Sequence, residues 1–204
     1  MRFWAPLLLA AACLAAQSKK PEDLAEGKIL VTTRGAPDPV FAQSVILLVK
    51  LNQDGAFGLM LNRPTGIAVA KALNELHGAA THSEPILFGG PVELDTVFAL
   101  SRAPHPPDGA RPVFGKVYLM SAKAALEKGL ADPPNPGRFR VYIGYCGWGP
   151  SQLQNEVTRG GWFIFDRNEE RVFDGEPSTL WSRLIAKAEA EVARATPRID
   201  RMSP

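Results

Sequence analysis

The sequence predicts an α+β domain with a mixed, mainly antiparallel sheet flanked by helices. Short apolar runs of strand length outnumber amphipathic segments of helix length along the 204 residues. Few of the connections between these runs are long, which favours antiparallel pairing because a parallel pair needs a long crossover connection. Eighteen glycines and eighteen prolines are scattered through the turns, which is typical of a turn-rich fold rather than of a disordered chain.

Strands are predicted where apolar residues run between turn residues. The segment 44–49 is a continuous apolar run after Ser44, which predicts a strand covered on both faces. The turn residues 52–55 separate it from 56–61, so these two strands are expected to form a hairpin. The predicted strands are 28–33, 44–49, 56–61, 86–88, 96–100, 117–120, 138–143 and 162–165.

Helices are predicted from capping residues followed by apolar residues on one stripe. Thr65, Ser121 and Ser178 are each expected to cap a helix, and Pro150 suits the first turn of another. Gly129 is expected to end the helix that Ser121 begins. The apolar stripe of the first helix is Ile67, Ala70, Leu73 and Leu76, and the later helices are expected at 122–128, 151–159 and from 178 onward.

The first sixteen residues have the pattern of a secretory signal peptide. Arg2 precedes an apolar run at 3–9, small residues fill 10–16, and polar residues follow at 17–20. The run is too short for a membrane-spanning helix, which needs about 20 apolar residues, so no transmembrane helix is predicted. We therefore expect an exported protein, periplasmic or secreted; the alternative for this segment is a buried N-terminal helix.

Two kinds of processing are compatible with this signal. Small residues near the cut allow cleavage after Ala15 or Ala16, which would release the protein. Alternatively Cys13 could be lipidated and anchor the chain, although Ala10 stands where bacterial lipoproteins usually have Leu. After either event Cys146 is the only unmodified cysteine, so no internal disulfide can form.

The predicted organisation is a signal peptide at 1–16, a polar lead-in at 17–27, one domain at 28–195 and a flexible tail at 196–204. The chain has 23 basic and 21 acidic residues, a net charge of +2. Such a balance lacks the basic patch that nucleic-acid binding requires, so no nucleic-acid partner is expected.

Several short motifs follow one another in a characteristic order. They are Pro39-Val40-Phe41, Ser44-Val45, Gly55-Ala56, Gly58, Asn62-Arg63-Pro64, Gly89-Gly90-Pro91, Gly144-Tyr145, Gly147-Trp148, Gln152-Leu153, Glu156 and Trp162. This ordered set resembles the YqgE/AlgH family of bacterial proteins over about 28–181. The resemblance implies an α+β fold in which a branched sheet folds into a partial barrel. It also implies that some relatives are linked to transcriptional control of exopolysaccharide production, and it offers no agreed catalytic residues. Members of the family mostly lack an export signal and more often have Ala at the position of Cys146.

The strongest local feature is a strand, a glycine-rich turn and a helix at 141–159. Glycines allow close approach of a ligand, and the free amides at a helix start suit an anion. This pattern predicts a site for phosphate or carboxylate, although the turn matches no phosphate-binding signature and could instead only shape a tight turn with Trp148 in the core. The candidate ligand-binding residues are Arg63, Gly144, Tyr145, Gly147, Trp148 and Gln152.

Arg63 is included because it lies between Asn62 and Pro64. Proline keeps the residue before it extended, which would present the guanidinium from a strand end. Arg63 would then either clamp an anion or pair with a carboxylate such as Glu156.

Cys146 suggests the alternative function, a hydrolase or thiol enzyme. A thiol at a helix start has a lowered pKa, and Gly144 to Trp148 is similar to a nucleophile elbow. The elbow would need Gly where Trp148 stands, however, and a base would have to come from His77, His82 or His105.

These three histidines and Cys146 form no metal-binding spacing, so no metal and no cofactor are predicted. Gly89-Gly90-Pro91 is interpreted as a turn that another segment passes closely. We therefore expect a non-enzymatic binding or regulatory domain of the cell envelope that recognises an unidentified small anion or protein partner; a purely structural docking domain is a third hypothesis.

Overall fold

The computed structural model of the protein describes residues 18–36 and 38–195. The predicted signal peptide at 1–16, including Cys13, and the predicted tail at 196–204 lie outside these residues. No helix among the described residues is long and apolar enough to cross a membrane.

Within the described residues, the domain has ten strands and five α-helices. The strands are β1 (Ile29–Thr32), β2 (Val45–Asn52), β3 (Gly55–Met60), β4 (Pro64–Ala68), β5 (Pro85–Phe88), β6 (Val92–Arg102), β7 (Arg111–Phe114), β8 (Val117–Met120), β9 (Phe139–Trp148) and β10 (Trp162–Phe165). The helices are α1 (Val69–Ala72), α2 (Lys123–Ala131), α3 (Gln152–Thr158), α4 (Glu169–Val172) and α5 (Pro177–Ala195).

The sheet branches at its long strand β9. Its main path is β10-β1-β2-β3-β9-β6-β8-β7, and it is not closed. β6 pairs with one edge of β9. Two other strands also pair with β9: β5 at residues 142–143 and β3 at residues 146–148. The β5–β9 pair is parallel and the other strand pairs of the described residues are antiparallel. The predicted class, the mainly antiparallel pairing and the branching are confirmed.

At β2 both faces of the sheet are buried, as the apolar run of this strand predicts. Val45, Leu47 and Val49 pack in one cluster with α5, while Ile46 and Leu48 pack in another with α3. Successive side chains of a strand point to opposite faces, so a strand between two helical layers must be apolar at every position. Each such side chain contributes about 1.5–3 kcal/mol by leaving water.

The helix predicted from Thr65 is largely wrong. Residues 64–68 form β4, and α1 is only four residues long. The Thr65 hydroxyl donates to the carbonyl of Ile86 at 2.8 Å instead of capping a helix, and Ile67 is 47% exposed. Pairing with β5 satisfies this backbone, and tertiary context thus overrides the helical spacing.

The predicted end of α2 at Gly129 is also wrong, because the helix continues to Ala131. A Cβ at Gly129 would lie 2.4 Å from Cε2 of Phe139. This glycine therefore makes room for an aromatic ring rather than ending the helix. The start of α2 has Ala122 at the cap position and no side-chain cap from Ser121.

Residues 18–27, within the predicted polar lead-in, contact the domain at several places. The amide and carbonyl of Ser18 bond to the carbonyl and amide of Ile164 at 3.0 and 2.8 Å. Leu24 is buried in the cluster that contains α3. These contacts hold the segment against the outer edge of β10.

Candidate ligand-binding site

The predicted glycine-rich turn at 144–149 is instead the second half of β9. Its glycines allow other segments to approach rather than turning the chain. A Cβ at Gly144 would lie 2.4 Å from the Gly90 carbonyl oxygen, and one at Gly89 would lie 2.2 Å from the Gly144 carbonyl oxygen. Gly144 also has a φ of +67°, which few residues other than glycine adopt. The close passage predicted at Gly89 and Gly90 is confirmed.

Because this segment is a strand, its candidate site residues lie on opposite faces of the sheet. Tyr145 packs on Phe57 and Phe98 on the α5 side and donates from its hydroxyl to Glu93 at 3.2 Å. Burial raises the pKa of Tyr145, and the Glu93 carboxylate raises it further. Trp148 belongs to the cluster on the α3 side. Gly147 lies between them, with the ring of Tyr145 3.2 Å from where its Cβ would be.

Cys146 is fully buried between β3 and β5. Its exposure is 0%, and its thiol donates to the Gly89 carbonyl at 3.3 Å. Burial raises the pKa of the Cys146 thiol, and a bond from the Met60 amide only partly opposes this. The thiolate that nucleophilic chemistry needs is thus disfavoured, contrary to the lowered pKa expected of a cysteine at a helix start.

The histidines do not bond to Cys146. His82, predicted in a polar loop, is completely buried, with Nδ1 2.5 Å from Glu84 Oε1 and Nε2 3.0 Å from the Leu130 carbonyl oxygen. His77 and His105 are exposed. Among the described residues, no group of three or more potential metal ligands occurs together.

Arg63 contacts the loop before β2. Its guanidinium donates to the Ala42 carbonyl and lies 3.5 Å from the Ser44 hydroxyl. The pairing of Arg63 with Glu156, one of its two predicted roles, is absent among the described residues. The other role, binding an anion, stays a prediction.

Glu156 instead joins two candidate residues, Trp148 and Gln152, to a second indole, that of Trp162. Its Oε2 accepts hydrogen bonds from the indole nitrogens of Trp148 at 3.0 Å and Trp162 at 2.9 Å. Its Oε1 accepts from Nε2 of Gln152 at 3.1 Å. Phe41 completes this group, stacked on Trp148 with ring centres 5.8 Å apart and edge-on to Trp162.

A cavity of about 430 Å³ lies against this group. Asp38, Phe41, Glu156, Arg159 and Trp162 are among the residues that line it, and we call it the Glu156 cavity. Trp148 and Gln152 are not part of the wall but hold the wall residue Glu156 in position. Arg63, Tyr145, Gly144 and Gly147 do not line it.

The sequence analysis did not single out Asp38 or Arg159, and it named Glu156 only as a motif residue of the family resemblance and as a possible partner of Arg63. One signal was available: Gln152 and Glu156 are four apart, which places them on the same side of a helix. The convergence of Trp148 and Trp162 on one carboxylate depends on strand pairing and left no local signal.

These features define a small α+β domain with a branched sheet and a carboxylate-lined cavity beside it. A model of the AlgH-like family matches residues 29–193, and the chain belongs to that family. It is 33% identical to a UPF0301 protein of Streptomyces coelicolor, over 82% of this chain and 88% of that protein. It is 37% identical to a UPF0301 protein of Paracoccus denitrificans, over 76% and 85%.

Two solved structures share the fold. The solution structure of the AlgH protein from Pseudomonas aeruginosa is 25% identical with a TM-score of 0.64, covering 83% of this chain and 93% of that one. A crystal structure of a Corynebacterium diphtheriae protein has a TM-score of 0.66 at 21% identity, covering 87% and 90%. The predicted resemblance to the YqgE/AlgH family is confirmed.

Proposed function

We propose that this chain is a non-enzymatic binding or regulatory domain of the cell envelope, and that the Glu156 cavity receives its ligand. The observation that supports this best is the half-buried Glu156 carboxylate, fixed by three N–H donors at the wall of the cavity. The volume of about 430 Å³ falls within the range of small-molecule sites, roughly 300–1,000 Å³. A preorganised polar group beside aromatic rings is the usual composition of such sites.

The surroundings of Cys146 favour binding over the alternative of a hydrolase or thiol enzyme. A thiol nucleophile requires access to substrate, a stabilised thiolate and a base within hydrogen-bond reach. Cys146 is fully buried with a raised pKa, and its thiol bonds to a backbone carbonyl. The buried histidine, His82, uses both ring nitrogens elsewhere.

The envelope location in this proposal rests on the signal pattern of residues 1–16. It is tested by expressing the full gene in a bacterium, separating the cell fractions and sequencing the N-terminus of the product. A new N-terminus at Ala16 or Gln17 in the exported fraction is the expected result. Intact Met1 in a wholly cytoplasmic product would contradict export, and a lipid on Cys13 would identify the anchored alternative.

The binding role is tested by native mass spectrometry of the protein purified from its producing cells. We expect a bound mass that is lost in Glu156→Ala and retained in Glu93→Ala, which changes a carboxylate on the other face of the sheet. A ligand retained equally by both variants would place binding outside the Glu156 cavity.

A further inference from the structure

The residues that line the Glu156 cavity carry more negative than positive charge. Its wall has two carboxylates, Asp38 and Glu156, and one cation, Arg159. Within residues 18–36 and 38–195, no cationic group lies within 4.0 Å of the Glu156 carboxylate, since its three donors are neutral. Arg159 follows Glu156 by three residues yet forms no ion pair with it. The wall therefore has a net charge of −1.

The backbone lining of the cavity offers an anion little. The amides of Gly160 and Gly161 donate to the carbonyls of Val157 and Glu156 at 2.9 and 3.0 Å. An anion bound beside Gly160 and Gly161 would meet two amides that already donate to carbonyls and a carboxylate that repels it, with exposed Arg159 as its main attraction. This arrangement differs from the anion sites that free helix-start amides provide.

The aromatic wall favours the opposite charge. Phe41 and Trp162 line the cavity, and the faces of aromatic rings attract cations through their quadrupole. The indole N–H of Trp162 donates to Glu156. The only polar group of this side chain is therefore already bonded, and the rest of the ring offers a ligand an apolar contact. A carboxylate flanked by aromatic rings is a combination that suits an ammonium or guanidinium group on an apolar body.

We propose that the Glu156 cavity binds a small organic cation, a primary ammonium or guanidinium group attached to a compact apolar group. Oε1 of Glu156, which accepts one hydrogen bond from Gln152 and has a second lone pair, accepts one N–H of this cation. Asp38 adds long-range attraction, and Phe41 and Trp162 contact its apolar part. The cation comes either from a free amine or from a Lys or Arg side chain of a partner. This inference rests on the proposed binding function and specifies its ligand class.

The test compares three ligands of one shape and different charge on the purified full chain: benzylamine, benzyl alcohol and benzoate. Isothermal titration, with Trp fluorescence as a second signal, is expected to show that benzylamine binds most tightly. The preference over benzyl alcohol should be roughly tenfold, the size of one charge-assisted hydrogen bond. A short peptide containing one lysine, compared with its acetyl-lysine form, distinguishes a partner side chain from a free amine as the source.

Three variants test whether negative charge at the cavity strengthens benzylamine binding and positive charge weakens it. Glu156→Gln should weaken benzylamine binding roughly tenfold, and Asp38→Asn should weaken it about twofold because Asp38 is exposed and screened. Arg159→Gln should tighten it about twofold, since it removes a repelling charge. Asp54→Asn, in the exposed turn between β2 and β3, is the control and should change nothing. Thermal unfolding confirms that each variant is folded, and Asp38→Asn and Arg159→Gln keep the test valid if Glu156→Gln is not.

Preferential binding of benzoate or benzyl alcohol at this cavity would overturn the cation proposal while leaving a binding function in place. Weaker benzylamine binding by Arg159→Gln would overturn it in the same way. If none of the three ligands and neither peptide binds at millimolar concentration, and no bound mass is found in the native protein, both the cation proposal and the proposed function fail.

Discussion

The indole nitrogens of Trp148 and Trp162 donate to the same carboxylate oxygen of Glu156, at 3.0 and 2.9 Å. The two rings are 5% and 2% exposed, so neither N–H has water as a ready substitute. This shared acceptor links the end of β9 to β10 through α3.

Glu156→Ala is therefore expected to lower the free energy of unfolding by roughly 2–6 kcal/mol, because two buried donors lose their acceptor at about 1–3 kcal/mol each. Urea denaturation at neutral pH measures this. Glu189→Ala, an exposed carboxylate paired with Arg34, is the control and should cost less than about 1 kcal/mol. A loss for Glu156→Ala no larger than that of the control would show that the indoles do not depend on the carboxylate.

Cys146 is expected to resist alkylation in the folded protein. Its thiol is buried and its pKa is raised by that burial, whereas iodoacetamide reacts with the accessible thiolate. Peptide mapping after treatment with and without urea distinguishes Cys146 from Cys13. Rapid modification of Cys146 without urea would contradict the buried position and revive the thiol-enzyme hypothesis.

Cys146→Ala should cost about 1 kcal/mol or less, since it removes a single sulfur atom and leaves a small cavity. Urea denaturation of the variant and the wild type gives the difference. A loss above about 3 kcal/mol would mean that the bond to the Gly89 carbonyl or the packing of the sulfur matters more than expected.

Arg63→Met separates two roles for the arginine. The contacts with Ala42 and Ser44 predict a stability loss of about 1 kcal/mol. The anion-binding hypothesis predicts instead that phosphate binding weakens roughly tenfold while the fold is unchanged. Urea denaturation and isothermal titration with phosphate and sulfate, run beside Lys71→Met as a control, decide between them.

Asp174 should make the stability depend on pH in the acid range. Burial raises the pKa of Asp174, but the hydrogen bonds from Arg183 and the Glu176 amide, together with nearby arginine charges, outweigh it, so the net pKa is lowered. A lowered pKa in the folded state stabilises the protein above the unfolded value of about 3.9 and ceases to do so as the pH falls through the folded value.

Asp174→Asn is therefore expected to be less stable than the wild type at pH 7, by roughly 0.5–1 kcal/mol because Arg183 is half exposed. The difference should shrink as the pH falls below about 4. Urea denaturation of both proteins from pH 7 to pH 3 measures it, and a difference that grows toward low pH would contradict the assignment.

The sequence predicted burial best in strands that are covered by helices on both faces. The run 44–49 specified burial on both faces because every position is apolar, and β2 has that environment. The glycines at 89–90 were correctly associated with close packing, whereas Gly144 was assigned to a turn and lies within β9. A glycine that provides space looks the same in sequence as one that turns the chain, however, and for this reason β9 was predicted to end too early.

The site was less predictable because it is assembled from distant segments. Phe41, Trp148 and Trp162 converge through the pairing of β1 with β10 and of β3 with β9. No local spacing encodes those pairings. Arg159 and Asp38 read as ordinary exposed charges, and only the position of the cavity between them gives them a common role.

The main path of the sheet has two outer strands, β10 and β7. Each is protected against pairing with an incoming strand, by a different feature. On β10, Ser18 occupies both the amide and the carbonyl of Ile164, so another chain would have to displace the lead-in before pairing there. On β7, Pro112 lacks the amide that a new ladder would need. Together these two residues protect the two ends of the main path against edge-to-edge aggregation with other copies of the chain.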